Sequence, residues 1–429
     1  MSTAPLDLWK DLKWRGLIND CTKPHELHQH LIEGTRSVYV GFDPTADSLH
    51  VGSLLPLLTL RRFQRAGHRP IVLIGGGTGL IGDPSGKLGE RQLNAEAQVA
   101  EWAARLKEQV KRFVEFEHGA TAAVLADNYE WLSRLQVISF LRDVGKHFPL
   151  GAMIAKDSVR SRMGRSEEGI SYTEFSYQVL QAYDFMALFD KHTCTLQLGG
   201  SDQWGNITAG IELIRRVRSQ SVYGATLPLV TKTDGTKFGK TESDTVWLDA
   251  RKTSPYEMYQ FWLNTADDDV TTYLKFFTLV EPGEIEALQS STQTAPDRRE
   301  AQRVLARHVT ALVHGDSASA QAETISRALF SGDLEQLTEA DLDQACRTMP
   351  RTVLRREEAE HLPVIELLTR VSLAGSKREG RDLITAGAIT INGQRIKSPD
   401  TLVSRDMARF GRFVIIRKGK KSYHAATLS

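Results

Sequence analysis

Apolar positions in the first half of the chain follow two rhythms. Short unbroken runs occur at Ser37–Phe42 (Ser-Val-Tyr-Val-Gly-Phe), 70–74, 122–126 and 193–198, and they read as strands covered on both faces. Between them lie helical patterns, at Leu54–Arg65 and 92–114. In the second of these Leu93, Ala97, Ala100, Ala103, Leu106, Val110 and Phe113 recur at three- and four-residue steps. Strands separated by helices predict βαβ units, hence a parallel sheet with right-handed crossovers. From 254 to 343 the pattern turns mainly helical, most clearly at Pro255–Leu263 and 298–313. Residues 337–360 are charged and irregular, with Pro350 inside, and read as a linker. The last 68 residues, 362–429, have their own plan. Ser376 caps a helix that ends at Gly387, and Asn392-Gly393 then separates two short alternating runs, a strong hairpin signal.

Composition narrows the class. The 429 residues suggest two to three domains, and 41% hydrophobic with 25% charged residues is ordinary for a globular protein. Cys21, Cys194 and Cys346 are far apart and form no Cys-x-x-Cys pair, which fits a reducing compartment and disfavours zinc. His25, His28 and His30 cluster without a second ligand pair and read as a polar helix start; no protein-bound metal is expected. No apolar run approaches 18 residues and the first residues carry no signal-type apolar core, so a soluble cytoplasmic protein is expected, with no membrane partner. A net charge of +1 argues against a strongly basic nucleic-acid coat.

Three loops carry candidate chemistry. Gly77-Thr78-Gly79-Leu80-Ile81-Gly82 matches a dinucleotide fingerprint, but Asp83-Pro84-Ser85-Gly86 follows where a helix should open, so a dehydrogenase is disfavoured. The Gly86-Lys87 pair lacks the rest of a P-loop. Residues 41–53 leave the first strand and enter the Leu54–Arg65 helix, where free backbone N–H groups suit a phosphate, Thr45 and His50 can add hydrogen bonds, and Gly52 admits a flat base. Residues 232–243 place Lys237 and Lys240 in a loop of small polar residues, able to bring two ammonium groups to a polyphosphate. Singly, each has a bland reading: a capping histidine, or a solvated basic loop.

Together, a His-x-Gly segment after the first strand and a Lys-x-Gly-Lys-Thr loop about 190 residues later resemble the two signatures of class I aminoacyl-tRNA synthetases. The segments 39–53, 75–87, 181–185, 199–206 and 236–241 resemble the bacterial tyrosyl-tRNA synthetases, in order and over nearly the whole chain. The resemblance implies a Rossmann-like catalytic domain for tyrosine and ATP (1–230), a segment with the signature lysine loop and an α-helical domain (231–345), a linker (346–361), and a small α+β S4-like RNA-binding domain (362–429). It implies activation of L-tyrosine by ATP, as its Mg²⁺ complex, to tyrosyl-adenylate, then transfer to the 3′ end of tRNA(Tyr) by a homodimer. Thr45, His50, Lys87, Arg91, Lys237, Lys240 and Thr241 would meet the leaving pyrophosphate, and all are donors or cations. Gly41, Asp43, Gly52, Ser53, Gly199, Asp202 and Lys240 would line the ATP site. Tyr39 and Asp184 would bind the substrate phenol, so that phenylalanine would leave both buried groups unpaired. Asp83, Tyr177 and Gln181 would hold the ammonium, with Thr78, Asn128 and Gln203 beside them. Two positions depart from the family pattern: Ser53 stands for the second histidine of the first signature, and the second signature reads Lys237-Phe238-Gly239-Lys240-Thr241.

A tryptophan-specific relative is a close alternative, but an indole has no phenol oxygen for the Tyr39/Asp184 pair. A non-enzymatic RNA-binding or splicing protein would not need the lysines, His50 or the pocket acids. The tail 362–429 holds 13 Lys+Arg against five acids, a charge of +8 that leaves −7 for residues 1–361. Lys377, Arg378 and Arg381 share one helical turn there and are the residues expected to grip RNA phosphates.

Overall fold

Val38, Tyr39 and Val40 follow one another without a polar break, and such a run is stable only where both faces are covered. In the computed structural model, which describes residues 7–85, 93–154, 159–160, 170–233, 235, 238–239, 245–359, 361–419 and 422–429, they lie in the middle of a sheet. Its strands are β1 (Asp20–Cys21), β2 (Ser37–Phe42), β3 (Arg69–Ile74), β4 (Val124–Asp127), β5 (Cys194–Gly200) and β6 (Tyr223–Leu227), in the order β1-β6-β5-β2-β3-β4. Every neighbouring pair from β6 to β4 is parallel, and the short β1 closes one edge antiparallel to β6. The chain steps outward through β3 and β4 on one side of β2, and through β6 beyond β5 on the other. The order therefore reverses between β2 and β5, and the crevice outside their carboxyl ends is where such sheets take ligands.

The chain forms two compact units: Met1–Lys252 with Ala266–Ala301, and Thr253–Thr265 with Gln302–Ser429. The division falls inside 231–345. In the first unit the helices Leu54–Arg65, Glu96–Val110, Tyr172–His192 and Trp204–Arg218 cover the sheet. Helix Leu54–Arg65 runs as its pattern predicts, burying Leu54, Leu55, Leu57, Leu58, Leu60 and Phe63. The helix expected over 92–114 is described as Glu96–Val110; Phe113 and Val114 stay buried beyond its end, so the apolar rhythm outlasts the helix. Residues 78–80 make one 3-10 turn and no helix opens there, in keeping with rejection of the dinucleotide fingerprint. Helix Tyr172–His192 and strand β6 have no clear sequence signal. The helix is buried on several sides, and β6 contains Gly224 and Thr226.

In the second unit the helices Pro255–Leu263, Asp316–Ser331, Glu339–Arg347 and most of Glu300–His314 precede a five-stranded sheet. The first opens with Pro255 after Ser254, whose hydroxyl and Glu257 form a reciprocal capping box, a feature contributing about 1 kcal/mol. The sheet runs β7-β11-β10-β8-β9, from β7 (Arg351–Leu354), β8 (Ile389–Ile391), β9 (Gln394–Arg395), β10 (Phe413–Lys418) and β11 (Ser422–Leu428). The reading of 337–360 as an irregular linker is corrected here. Thr338 and Asp341 cap helix Glu339–Arg347, and β7 pairs parallel with β11, so part of the segment completes the tail's sheet. Leu354 is fully buried in the tail's core beside Leu367, Ile384 and Ile416. The Ser376-capped helix Lys377–Thr385 and the Asn392-Gly393 hairpin form as expected, both turn residues taking positive φ.

Candidate active site

The carboxyl ends of β2 and β5 open into a cleft of about 570 Å³ in the first unit. Its floor is a chain of hydrogen bonds. Asp184, on helix Tyr172–His192, accepts from Asn128 Nδ2 at 2.9 Å and from Trp131 Nε1 at 2.7 Å. Asn128 Nδ2 also donates to Thr78 Oγ1 at 2.8 Å, and Thr78 donates in turn to Asp43 Oδ1 at 2.7 Å. Tyr177 Oη donates to the other oxygen of Asp43 at 2.7 Å. Gly75, at the end of β3, is needed for this approach, since a Cβ there would sit 2.0 Å from Asp43 Oδ1. On the opposite side Gln203 Nε2 donates to Asp83 Oδ2 at 2.7 Å, and Asn206 Nδ2 donates to Gln181 Oε1 at 3.0 Å.

Two polar atoms in this cleft stand out. The Tyr39 hydroxyl and Gln197 Oε1 are buried and have no hydrogen-bond partner among the described residues. Tyr39 is 1% exposed, and burial together with the nearby Asp184 carboxyl raises its pKa well above the ordinary phenol value, so it stays a donor. Burial also pushes Asp184 up to about 8, against the two hydrogen bonds that favour its charged form. At the rim His50 Nδ1 accepts from the Gly52 N–H at 3.0 Å, capping the short turn Val51–Ser53. The ring faces the cleft, but surrounding protein lowers its pKa by desolvation. A neutral ring that accepts at Nδ1 carries its proton on Nε2, so His50 presents one donor to the cleft.

Sixteen of the residues singled out in the sequence line this one cleft. Tyr39, Thr78, Asp83, Asn128, Tyr177, Gln181, Asp184 and Gln203 come from the expected tyrosine set. Gly41, Asp43, Thr45, His50, Gly52, Ser53, Gly199 and Asp202 come from the expected ATP and pyrophosphate sets. Lys87, Arg91, Lys237, Lys240 and Thr241 lie outside the described residues. Lys377, Arg378 and Arg381 are exposed on helix Lys377–Thr385 of the second unit, with Lys377 paired to Glu366. Gln197, which lines the cleft, and Trp131, which donates to Asp184, were not singled out in the sequence. Gln197 was legible in principle, as a polar residue between Leu196 and Leu198. Trp131 was not, because only the fold brings its indole to Asp184.

A family model described as "tRNA synthetases class I (W and Y)" matches residues 33–331, and one described as "Tyrosine--tRNA ligase SYY-like C-terminal domain" matches 341–426. The chain belongs to the class I tRNA synthetases, in their tyrosyl branch. It is similar to the tyrosine–tRNA ligase of Geobacillus kaustophilus (strain HTA426), 54% identical over 420 residues, covering 98% of this chain and 99% of that protein. The tyrosine–tRNA ligase of Aliivibrio fischeri (strain MJ11) is 52% identical over 423 residues, with 98% and 99% covered. Among solved structures, a C-terminally truncated mitochondrial tyrosyl-tRNA synthetase from Aspergillus nidulans aligns with TM-score 0.69 and 32% identity, over 75% of this chain and 94% of that one. Tyrosine–tRNA ligation is thus the activity of this synthetase: L-tyrosine and ATP give tyrosyl-adenylate and pyrophosphate, and tyrosine passes to tRNA. No described helix is long and apolar enough to cross a membrane.

Proposed function

We propose that the synthetase performs both steps in the cleft between β2 and β5, with the roles divided as follows. Tyr39 and Asp184 bind the substrate phenol, Asp184 accepting its hydrogen and Tyr39 donating to its oxygen. The observation that carries this is the buried Tyr39 hydroxyl, with no hydrogen-bond partner among the described residues, beside a carboxyl of which each oxygen already accepts one bond. A phenol satisfies both, whereas a phenyl ring leaves them buried and unmatched, and an indole brings no oxygen. Asp83, Tyr177 and Gln181 receive the ammonium, with Thr78, Asn128 and Gln203 beside them: Gln203 donates to Asp83, Thr78 shares the Asp43 carboxyl with Tyr177, and Asn128 donates to Thr78 and Asp184. That orients the tyrosine carboxylate toward the α-phosphate.

Gly41, Asp43, Gly52, Ser53, Gly199 and Asp202 form the ATP side, and ATP enters as its Mg²⁺ complex, a substrate rather than a resident cofactor. The carboxylate attacks the α-phosphate in line, the bond to the bridging oxygen breaks, and pyrophosphate leaves. Thr45, the Nε2–H of His50, Lys87, Arg91, Lys237, Lys240 and Thr241 stabilise the charge that gathers on it. Ser53, shorter than histidine, still offers a hydroxyl to the same region. A terminal tRNA hydroxyl then attacks the tyrosyl carbonyl carbon, and AMP departs.

Residues 362–429 serve as the RNA-binding domain for tRNA(Tyr), with Lys377, Arg378 and Arg381 on phosphates. The enzyme works in the cytoplasm as a homodimer. Exposed Val137, Ile138, Leu141, Leu150 and Ile154, on two consecutive helices, support the dimer, since an isolated soluble surface rarely gathers so many. Tyrosine-dependent exchange of pyrophosphate into ATP tests the cleft. Lys240→Ala is expected to lower the exchange rate by roughly a hundredfold or more with tyrosine affinity nearly intact, because its charge counts mainly in the transition state. A matching loss of tyrosine affinity would refute that role.

A further inference from the structure

The loop that carries Lys237 and Lys240 is tied down at four described positions, and the ties lead back to one helix, Asp267–Phe277, and to the turn at His50. Tyr273 Oη donates to the Thr231 carbonyl oxygen at 3.3 Å. Asp269, 7% exposed, accepts from the Thr233 N–H at 2.9 Å and also from its hydroxyl. The Phe238 ring stacks on Phe277 with centroids 5.1 Å apart and planes at 12°, and meets Tyr273 edge-on at 5.1 Å. Gly239 O accepts from Val246 N–H at 3.0 Å, and Val246 O accepts from Val51 N–H at 3.0 Å, next to His50. Gly239 stands at φ 81° and a Cβ there would press on Val51 at 3.0 Å, so glycine is required between the two signatures.

The other end of the same helix is clamped. Arg62 Nη2 donates to the carbonyl oxygens of Lys275, Phe276 and Thr278 at 3.1, 3.2 and 2.6 Å. Arg15 Nη2 donates to Val280 O at 2.8 Å and is itself held by the buried Asp11 at 2.9 Å. Arg62 sits on helix Leu54–Arg65, which follows directly from the His50 turn. Cations at carbonyl oxygens that a helix leaves unpaired at its C-terminal end are favourable, and a buried bond of this kind is stiff.

We propose that helix Asp267–Phe277 is a positioning element for adenylate formation: Asp269, Tyr273 and Phe277 set the lysine loop in register with His50. The inference rests on the assignment of Lys240 to the leaving pyrophosphate. It adds residues that touch no substrate and act through that lysine. A buried carboxylate at this place otherwise costs desolvation, and its two bonds to Thr233 give it a purpose that an alanine could not serve.

The test uses the full chain, with pyrophosphate-exchange rate, KM for ATP and tyrosine dissociation constant measured for Asp269→Ala, Asp269→Asn, Tyr273→Phe, Lys240→Ala and the Asp269→Ala/Lys240→Ala double variant. Asp269→Ala is expected to lower the exchange rate by roughly tenfold to a hundredfold, the scale of a small misplacement, with tyrosine binding unchanged. Asp269→Asn restores most of the rate, because its amide oxygen can still accept from Thr233. In the Lys240→Ala background the further loss nearly disappears, since both act through one group. Should Asp269→Ala not fold, Tyr273→Phe, which loses a single hydroxyl, carries the same expectation on a smaller scale. Rates near wild type in both, an equal loss of tyrosine affinity, or full additivity with Lys240→Ala overturns the inference. A silent Lys240→Ala overturns the lysine assignment instead, and this inference falls with it.

Discussion

Asp184 carries a carboxyl whose surroundings hold its pKa at about 8, above an ordinary value of 3.8. Because the folded value is the higher one, the stability this group contributes is complete below about pH 4 and is lost as pH rises through about 8. In the proposed role a bound phenol gives the carboxylate one further donor, so tyrosine would favour the ionised form and its binding would release a proton. Tyrosine affinity should therefore rise between about pH 6 and pH 8 and level off above. Calorimetry in two buffers of different ionisation heat reads the released proton directly. An affinity flat over that range, with no proton released, would sink the ionised-acceptor role. The sequence marked Asp184 through its motif, but the partners that set its charge, Asn128 and Trp131, are about 55 residues away in the chain and come to it only in the fold.

Strand β7 shows how an element escapes a sequence reading. Arg351-Thr352-Val353-Leu354 has neither length nor clean alternation, and its partner β11 lies more than 70 residues away. What makes it a strand is the parallel ladder to β11 and the burial of Leu354, a side chain that contributes about 2 kcal/mol when removed from water. The tail's sheet therefore starts before residue 362. A chain ending at Met349 should keep pyrophosphate exchange and lose most tRNA charging. A chain ending at His361 should do the same but aggregate more readily, since it keeps β7 with no partner and Leu354 uncovered. Exchange and charging assays with light scattering check both, and an equal fall in the two activities would overturn the division of labour. By contrast β2, helix Leu54–Arg65 and helix Pro255–Leu263 were legible to the residue, because caps, prolines and unbroken apolar runs are local signals.

Over the whole molecule the net charge of +1 hides a tail at +8 and a remainder at −7. In the proposed division of roles, phosphate chemistry in an acidic body rests on a few placed donors, and an RNA backbone would find its cations concentrated in the tail. The proposed dimer belongs to this scale as well. Ile138, 76% exposed, and Val137, 70% exposed, gain most from being covered by a second copy. Ile138→Glu should shift the mass in solution from a dimer toward the 47.9 kDa single chain, read by light scattering, and a wild-type chain already of single mass would reject the dimer.

The sequence by itself determined the alternation of strands and helices around β2 to β5, the capped helix and hairpin of the tail and, through its resemblance to the tyrosyl-tRNA synthetases, the activity and sixteen of the residues that line the cleft. The elements follow from local periodicity, caps and turn residues, and the resemblance rests on short motifs, each written within a few adjacent residues. Only the tertiary structure decided what those residues do to one another: the raised pKa of Asp184, the Tyr39 hydroxyl with no partner among the described residues, the place of β7, and the ties from helix Asp267–Phe277 to the described positions of the lysine loop. Each of these depends on burial or on a hydrogen bond between distant parts of the chain, and neither is encoded in any single stretch of it.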